Sequence, residues 1–191
     1  MNHLAHLFLA APTAESLLGN LSGDFVKGAL PGRFPPEVER GIREHRSIDA
    51  FTDSHPEVAA FRRIIGADHG HYSRVISDIF FDHFLASDWD RYSAEPLRDF
   101  LRRTFAMLDP HVGVMPGRLR IVYPIMRDEE WLLSYASIDG IWTSLFFISR
   151  RFSRQPHLEL ATPLLITARP ALFEHFDRFM PDVIAHAKGL R

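Results

Sequence analysis

Residues 74–85, RVISDIFFDHFL, read as a helix that is apolar on every side yet carries Asp78, Asp82 and His83. Asp78 and Asp82 are four apart and share one helix face, and His83 follows about 100° further round. Ile76, Ile79, Phe80, Phe81, Phe84 and Leu85 would bury such a helix in a core. Two carboxylates on one buried stripe repel and lose solvation, so both do not stay ionised without a compensating charge. A divalent cation is the commonest remedy, and an exposed acidic stripe is the plainer alternative. The rest of the chain has the means to enclose this helix: 46% of its 191 residues are hydrophobic and 16 are Phe. That length fits one domain, residues 1–191, with a sizeable core.

Several classes of protein are excluded or disfavoured. The formal net charge of -2 argues against a generalised nucleic-acid binder. The 22 basic residues are almost all Arg, which favours directed, bidentate contacts with carboxylate or phosphate groups. There is no cysteine, so disulfides and thiolate metal sites are out, and a metal must be held by nitrogen and oxygen. No stretch approaches the ~18 apolar residues that span a bilayer. The start of the chain lacks the basic region of a signal peptide, so a soluble, cytoplasmic protein without membrane contact is expected.

The spacing predicts helices over 1–10, 14–26, 36–52, 56–65, 94–108, 118–135, 138–152 and 170–188, in addition to the central one. Thr13 is an N-cap for the second of these, and Pro36 with Glu37 suits the first turn of the third. Gly19 and Gly23, four apart, let a neighbouring helix approach closely. Residues 28–36 and 110–117 are turn-rich, 66–70 a connector, and 153–163 irregular. Pro124 breaks or kinks its helix. Few segments alternate with period two, so the fold class is all-α, a single-domain helical bundle.

Three segments carry ligand-type pairs at helical spacing: Asn20/Asp24, His45/Asp49 and Asp78/Asp82. A bundle whose helices each point one or two such side chains inward is a common way to build a metal site. The available ligands are Asp24, His45, Asp49, Asp53, Asp78, Asp82 and His83. A set of nitrogen and oxygen donors suits Mn²⁺, Mg²⁺ or Fe²⁺, with Zn²⁺ as a further alternative. Arg46, beside His45, is placed to hold an anion, and metal plus Arg is the equipment of phosphoester hydrolysis. Asp53 is equally a turn residue, His6 divides between packing and support of the ligands, and His3 reads as a surface or packing residue. No GxSxG, P-loop or GxGxxG motif is present.

The chain resembles the acyl carrier protein phosphodiesterases. The resemblance rests on Met1-Asn2 with Leu4-Ala5-His6, Gly19-Asn20-Leu21 with Asp24-Phe25-Val26, and Phe34-Pro35-Pro36. It continues through Gly41-Ile42, His45-Arg46, Ile48-Asp49, Thr52-Asp53, Asp82-His83-Phe84-Leu85 and Trp131-Leu132. It is dense in the first half and thin in the second. It implies kinship with the helical HD phosphohydrolases and Mn²⁺-dependent removal of 4′-phosphopantetheine from the serine of holo acyl carrier protein. Carried over by motif, Asp24, His45, Asp49, Asp82 and His83 are the ligand and catalytic candidates, with Asp78 as a further ligand and His6, Asn20 and Asp53 in support. Water oriented by Asp24 or Asp82 would attack phosphorus, Arg46 would neutralise charge, and His83 or His45 would protonate the leaving serine oxygen. Two departures stand out: His3 replaces an aromatic residue, and the pair Asp82-His83 reverses the usual His-Asp order. Carrier protein is acidic, so an Arg-rich docking face is implied, with Arg62, Arg63, Arg102, Arg103, Arg150, Arg151 and Arg154 as candidates. The alternatives are an HD-type nucleotide phosphohydrolase and a non-catalytic helical module with a structural metal.

Overall fold

The computed structural model describes residues 1–191 as eleven α-helices with short 3₁₀ turns between them and no strand. The all-α expectation holds. The central helix α5 (Ser73–Ser87) has Ile76, Phe80, Phe81, Phe84 and Leu85 wholly out of solvent. Helices α1 (His3–Leu9), α4 (Pro56–His69), α9 (Ile138–Ser149) and α11 (Arg169–Gly189) pack around it. Phe61 of α4 and Phe176 and Phe179 of α11 interleave with Phe81 and Phe84 as an aromatic stack. The 47 buried hydrophobic residues form one continuous cluster, so a single core organises the chain.

Helices α2 (Ala14–Ser22) and α3 (Pro36–Ser54) form the tightest pair. Thr13 caps α2 by accepting the Ser16 N–H, and Pro36 with Glu37 and Glu39 opens α3 in the manner expected of a helix N-terminus. The two helices meet at glycines. A methyl on Gly19 would lie 2.5 Å from the Val38 carbonyl oxygen and 2.6 Å from the Gly41 α-carbon. Only hydrogen at these positions lets the backbones approach this closely.

Helices α6 (Leu97–Leu108), α7 (Gly117–Asp128), α8 (Trp131–Ser134) and α10 (Leu164–Thr167) complete the molecule. Four boundaries differ from expectation. Helix α2 stops at Ser22, and a 3₁₀ turn carries Gly23–Phe25. Helix α4 runs through the expected connector to His69, ending where Gly70 takes a φ of 53°. The helix expected over 118–135 divides at Glu130, whose φ of 49° ends α-helical geometry, whereas Pro124 stays inside α7. A 3₁₀ turn, Leu158–Ala161, lies in the stretch read as irregular.

Candidate metal centre

His45 is seated by the α2–α3 contact. Its ring lies against Gly23, where an added methyl would fall 2.2 Å from the imidazole. Its Nδ1 donates to the Asn20 carbonyl at 2.8 Å, which fixes the tautomer and turns Nε2 outward. Nε2 then faces two carboxylates, Asp49 Oδ2 at 3.2 Å and Asp24 Oδ1 at 3.5 Å. Asp49 lies one turn along α3 from His45, the four-residue spacing noted in the sequence.

The N-terminal helix adds a third face. His6 Nε2 lies 3.1 Å from Asp49 Oδ1, and the His6 ring stacks on His45 at 3.7 Å between centroids. His3 Nδ1 is 3.6 Å from Asp24 Oδ2, and the Met1 amine is 3.1 Å from Asp49 Oδ1. His6, His45 and Asp49 thus bring one donor atom each within 4.8 Å of one another, the geometry of a candidate metal site. Asp24, across from His45, is a fourth available donor and the second carboxylate. Both imidazoles are buried while 36% of Asp49 and 42% of Asp24 stays exposed, so the cluster opens to solvent on its carboxylate side.

The charges fit a cation. Burial would lower His45, but its bonds to Asp24 and Asp49 outweigh that and raise it to about 9. Burial, with His45 alongside, lowers His6 to about 3 and leaves one of its ring nitrogens unprotonated at neutral pH. Burial opposes the ionisation of Asp49 and Asp24, yet the imidazoles hold both far below the usual carboxylate range. His6 Nδ1 is buried without a hydrogen-bond partner. With Nδ1 of His45 committed to Asn20, only a proton or a metal ion between Nε2 and the carboxylates reconciles them. The residues present therefore suit a bound divalent ion.

Asp24, His45 and Asp49 also line an open cleft of about 200 Å³, together with Arg46 and Lys27. Arg46 is braced by donating to the Val26 carbonyl at 2.9 Å. Two cations beside a ligand cluster make this cleft suited to an anion. Lys27 had no signal in the sequence, since its role depends on the turn after the 3₁₀ segment.

The central helix contributes differently from expectation. Asp82 is wholly buried, and its two oxygens accept the N–H groups of Leu4 (2.8 Å) and Ala5 (3.1 Å). It caps α1, whose own N-cap residue Asn2 makes no side-chain cap bond. Burial pushes Asp82 up to about 7 against the pull of those two N–H groups. Asp78 pairs with the Met1 amine at 3.4 Å and Arg62 at 3.5 Å. Buried Asp82 thus meets a helix N-terminus, and half-buried Asp78 an amine and a guanidinium. His83 is also drawn away: its Nδ1 lies 2.8 Å from the Tyr135 carbonyl oxygen. Asp82, Asp78 and His83 are not brought into the His6–His45–Asp49 group. Asp53 is bound by Arg62 at 2.8 Å and Arg74 at 2.6 Å, which leaves it as a surface anchor. Asn20 supports the centre through its backbone carbonyl, while its side chain turns to the Ser16 carbonyl and Glu44.

An all-α fold with a His–Asp cluster on a cleft that also holds Lys27 and Arg46 defines a helical protein with a candidate site for a metal ion. The chain belongs to the acyl carrier protein phosphodiesterase family, which it matches over residues 1–183. It is 41% identical over 142 residues, 74% of each chain, to the acyl carrier protein phosphodiesterase of Yersinia pestis. It is 34% identical to that of Serratia proteamaculans over 192 residues, 98% of both chains. The Escherichia coli protein of that name is 34% identical over 188 residues, covering 98% of this chain and 97% of its own. No solved structure matches the chain. No helix is long and apolar enough to cross a membrane.

Proposed function

We propose that this chain hydrolyses the phosphodiester that joins 4′-phosphopantetheine to the serine of holo acyl carrier protein, yielding apo carrier protein and the free arm. The reading is carried by family membership over nearly the whole chain, and the cleft supports it. His6, His45 and Asp49 would hold the metal, with Asp24 as a further ligand or as the group facing the attacking water. Mn²⁺ suits the donor set, with Mg²⁺, Fe²⁺ or Zn²⁺ as alternatives. Such an ion, when bound, activates water and neutralises phosphoryl charge.

The chain's own groups then have defined work. Asp24 is ionised at neutral pH and half exposed, so it orients a water by accepting its hydrogen bond. Arg46 and Lys27 offer charge-assisted bonds to the non-bridging phosphoryl oxygens in the cleft. The Asn20 carbonyl keeps the His45 ring from rotating. His83 is given no part in this scheme, since it does not line the cleft.

The test is intact mass spectrometry of holo carrier protein incubated with the purified chain and Mn²⁺. Conversion to the apo mass, abolished by chelator and restored by metal, is expected. Turnover of nucleotides with no change in carrier protein would overturn the reading in favour of a nucleotide phosphohydrolase.

A further inference from the structure

The cleft of the metal centre is small, whereas the reading above requires a whole protein to be brought to it. A second, larger groove of about 640 Å³ lies between α7, α8 and α9. Ile125, Trp131 and Phe147 form its apolar walls, Arg151 stands in its lining, and Glu129 and Asp139 contribute acidic lining. Its banks carry large exposed apolar side chains: Ile121 is 72% exposed, Phe147 53%, Ile125 48% and Trp142 45%. On α9, Trp142 stacks on Phe146, and Arg150 lies over the Phe146 ring at 5.3 Å. So much exposed apolar surface in one place is characteristic of a binding face.

The arginines divide clearly. Arg62, Arg102 and Arg103 are neutralised within the molecule by Asp53, Asp99 and Glu95. Arg118, Arg150 and Arg151 are exposed and have no carboxylate partner. Arg118 shares a face of α7 with Ile121 and Ile125, and Arg151 follows Phe147 by four residues just past the end of α9. Asn2, beside His3, donates to the Tyr135 hydroxyl at 3.1 Å, and Tyr135 follows Ser134 of the groove lining. The groove is therefore tied to the segment that carries His3 and His6.

We propose that the α7–α9 groove, with Arg151 in its lining and Arg118 and Arg150 on the helices that form it, is the docking face for the acidic surface of the carrier protein. This rests on the carrier protein being the substrate. The arginines meet acidic side chains, the aromatic bank covers the partner's apolar contacts, and the partner's modified serine is presented to the neighbouring cleft. Aromatic and Arg side chains together are the composition of energetically dominant interface residues.

Binding of holo carrier protein is measured by titration calorimetry in chelator, so that no turnover intervenes, and turnover is measured separately with Mn²⁺ by intact mass. The variants are the double substitution Arg118→Glu/Arg151→Glu and the single substitution Phe147→Ala. Arg98→Glu/Arg102→Glu, on α6, is the control. The double variant should weaken binding by roughly 10–100-fold and raise KM in parallel with kcat retained, while the control stays within about twofold. Should the double variant fold poorly by its melting curve, the loss of wild-type affinity with salt and the effect of Phe147→Ala carry the test. Equal affinity of wild type and both groove variants, or loss of binding in the α6 control alone, overturns the proposal. Groove-dependent binding without conversion to apo protein upholds the docking face and defeats the hydrolytic reading. Conversion with unchanged KM in the groove variants does the reverse. A wild-type dimer that the groove substitutions split, with no affinity for carrier protein, assigns the face to a second copy and overturns the proposal.

Discussion

A methyl group on Gly23 would lie 2.2 Å from the imidazole of His45. Gly23 has ordinary right-handed helical backbone angles, so an alanine there meets no backbone strain and acts only through that contact. Gly23→Ala should push the ring off the Asn20 carbonyl and out of line with Asp24 and Asp49. Metal affinity, measured by competition with a chelating dye, should fall by at least about tenfold, the scale on which misorienting a ligand acts. Overpacking should add about 1–3 kcal/mol of destabilisation. Unchanged affinity would show that His45 is not held by this contact.

Asp82 and Asp49 should separate stability from metal binding. Asp82→Ala leaves the N–H groups of Leu4 and Ala5 buried without an acceptor, a loss of about 1–3 kcal/mol for each unsatisfied group. Asp49→Ala removes a carboxylate that is partly exposed, and should chiefly remove bound metal. Denaturant unfolding and elemental analysis of both variants check this. An Asp82→Ala protein that kept its stability and lost only its metal would restore Asp82 as a ligand.

Asn20→Ala should be mild for chemistry. The acceptor of His45 is the backbone carbonyl of Asn20, which the substitution retains, while the side chain serves Ser16 and Glu44. We expect less than about a tenfold loss in kcat/KM, below the range for direct partners of metal ligands, with a lowered melting temperature. A loss of several hundredfold would contradict the backbone assignment.

The metal-free protein should lose stability as pH rises. His45 is raised from 6.5 to about 9, so the folded state holds a proton that the unfolded state has released between those values. Its contribution is fully present below pH 6.5 and is lost on the way to pH 9. The Met1 amine, raised from 8.0 to about 10, adds to the fall only above pH 8. Asp82, pushed up to about 7, adds to the fall only below that value, so melting temperatures in chelator between pH 7 and 8 report His45. Added Mn²⁺ should flatten the slope, because metal takes the place of the proton. A flat profile without metal would contradict the pairing of His45 with Asp24 and Asp49.

The helical class was legible because most segments repeat with period 3.6 and few with period two. The closeness of α2 and α3 was legible in Gly19 and Gly23, and the His45/Asp49 pair in its spacing. What periodicity could not convey is what a face meets. Asp78 and Asp82 do share a stripe, Asp82 buried and Asp78 partly so, but their partners are an amine, an arginine and the start of a helix nearly eighty residues away. His6 was underweighted for the same reason: α1 is only seven residues long, and its inward face is set by where Asp82 fastens it. Asp24 left the Asn20 stripe because the chain tightens to 3₁₀ geometry at Gly23, which follows from its contact with His45.

The grip of Asp82 on Leu4 and Ala5 ties together two parts of the chain 78 residues apart. Loosening it would release helix α1, and His6 with it, while His45 and Asp49 stayed together on α3. One donor of the centre could thus swing away by a local opening that leaves the central helix in its core.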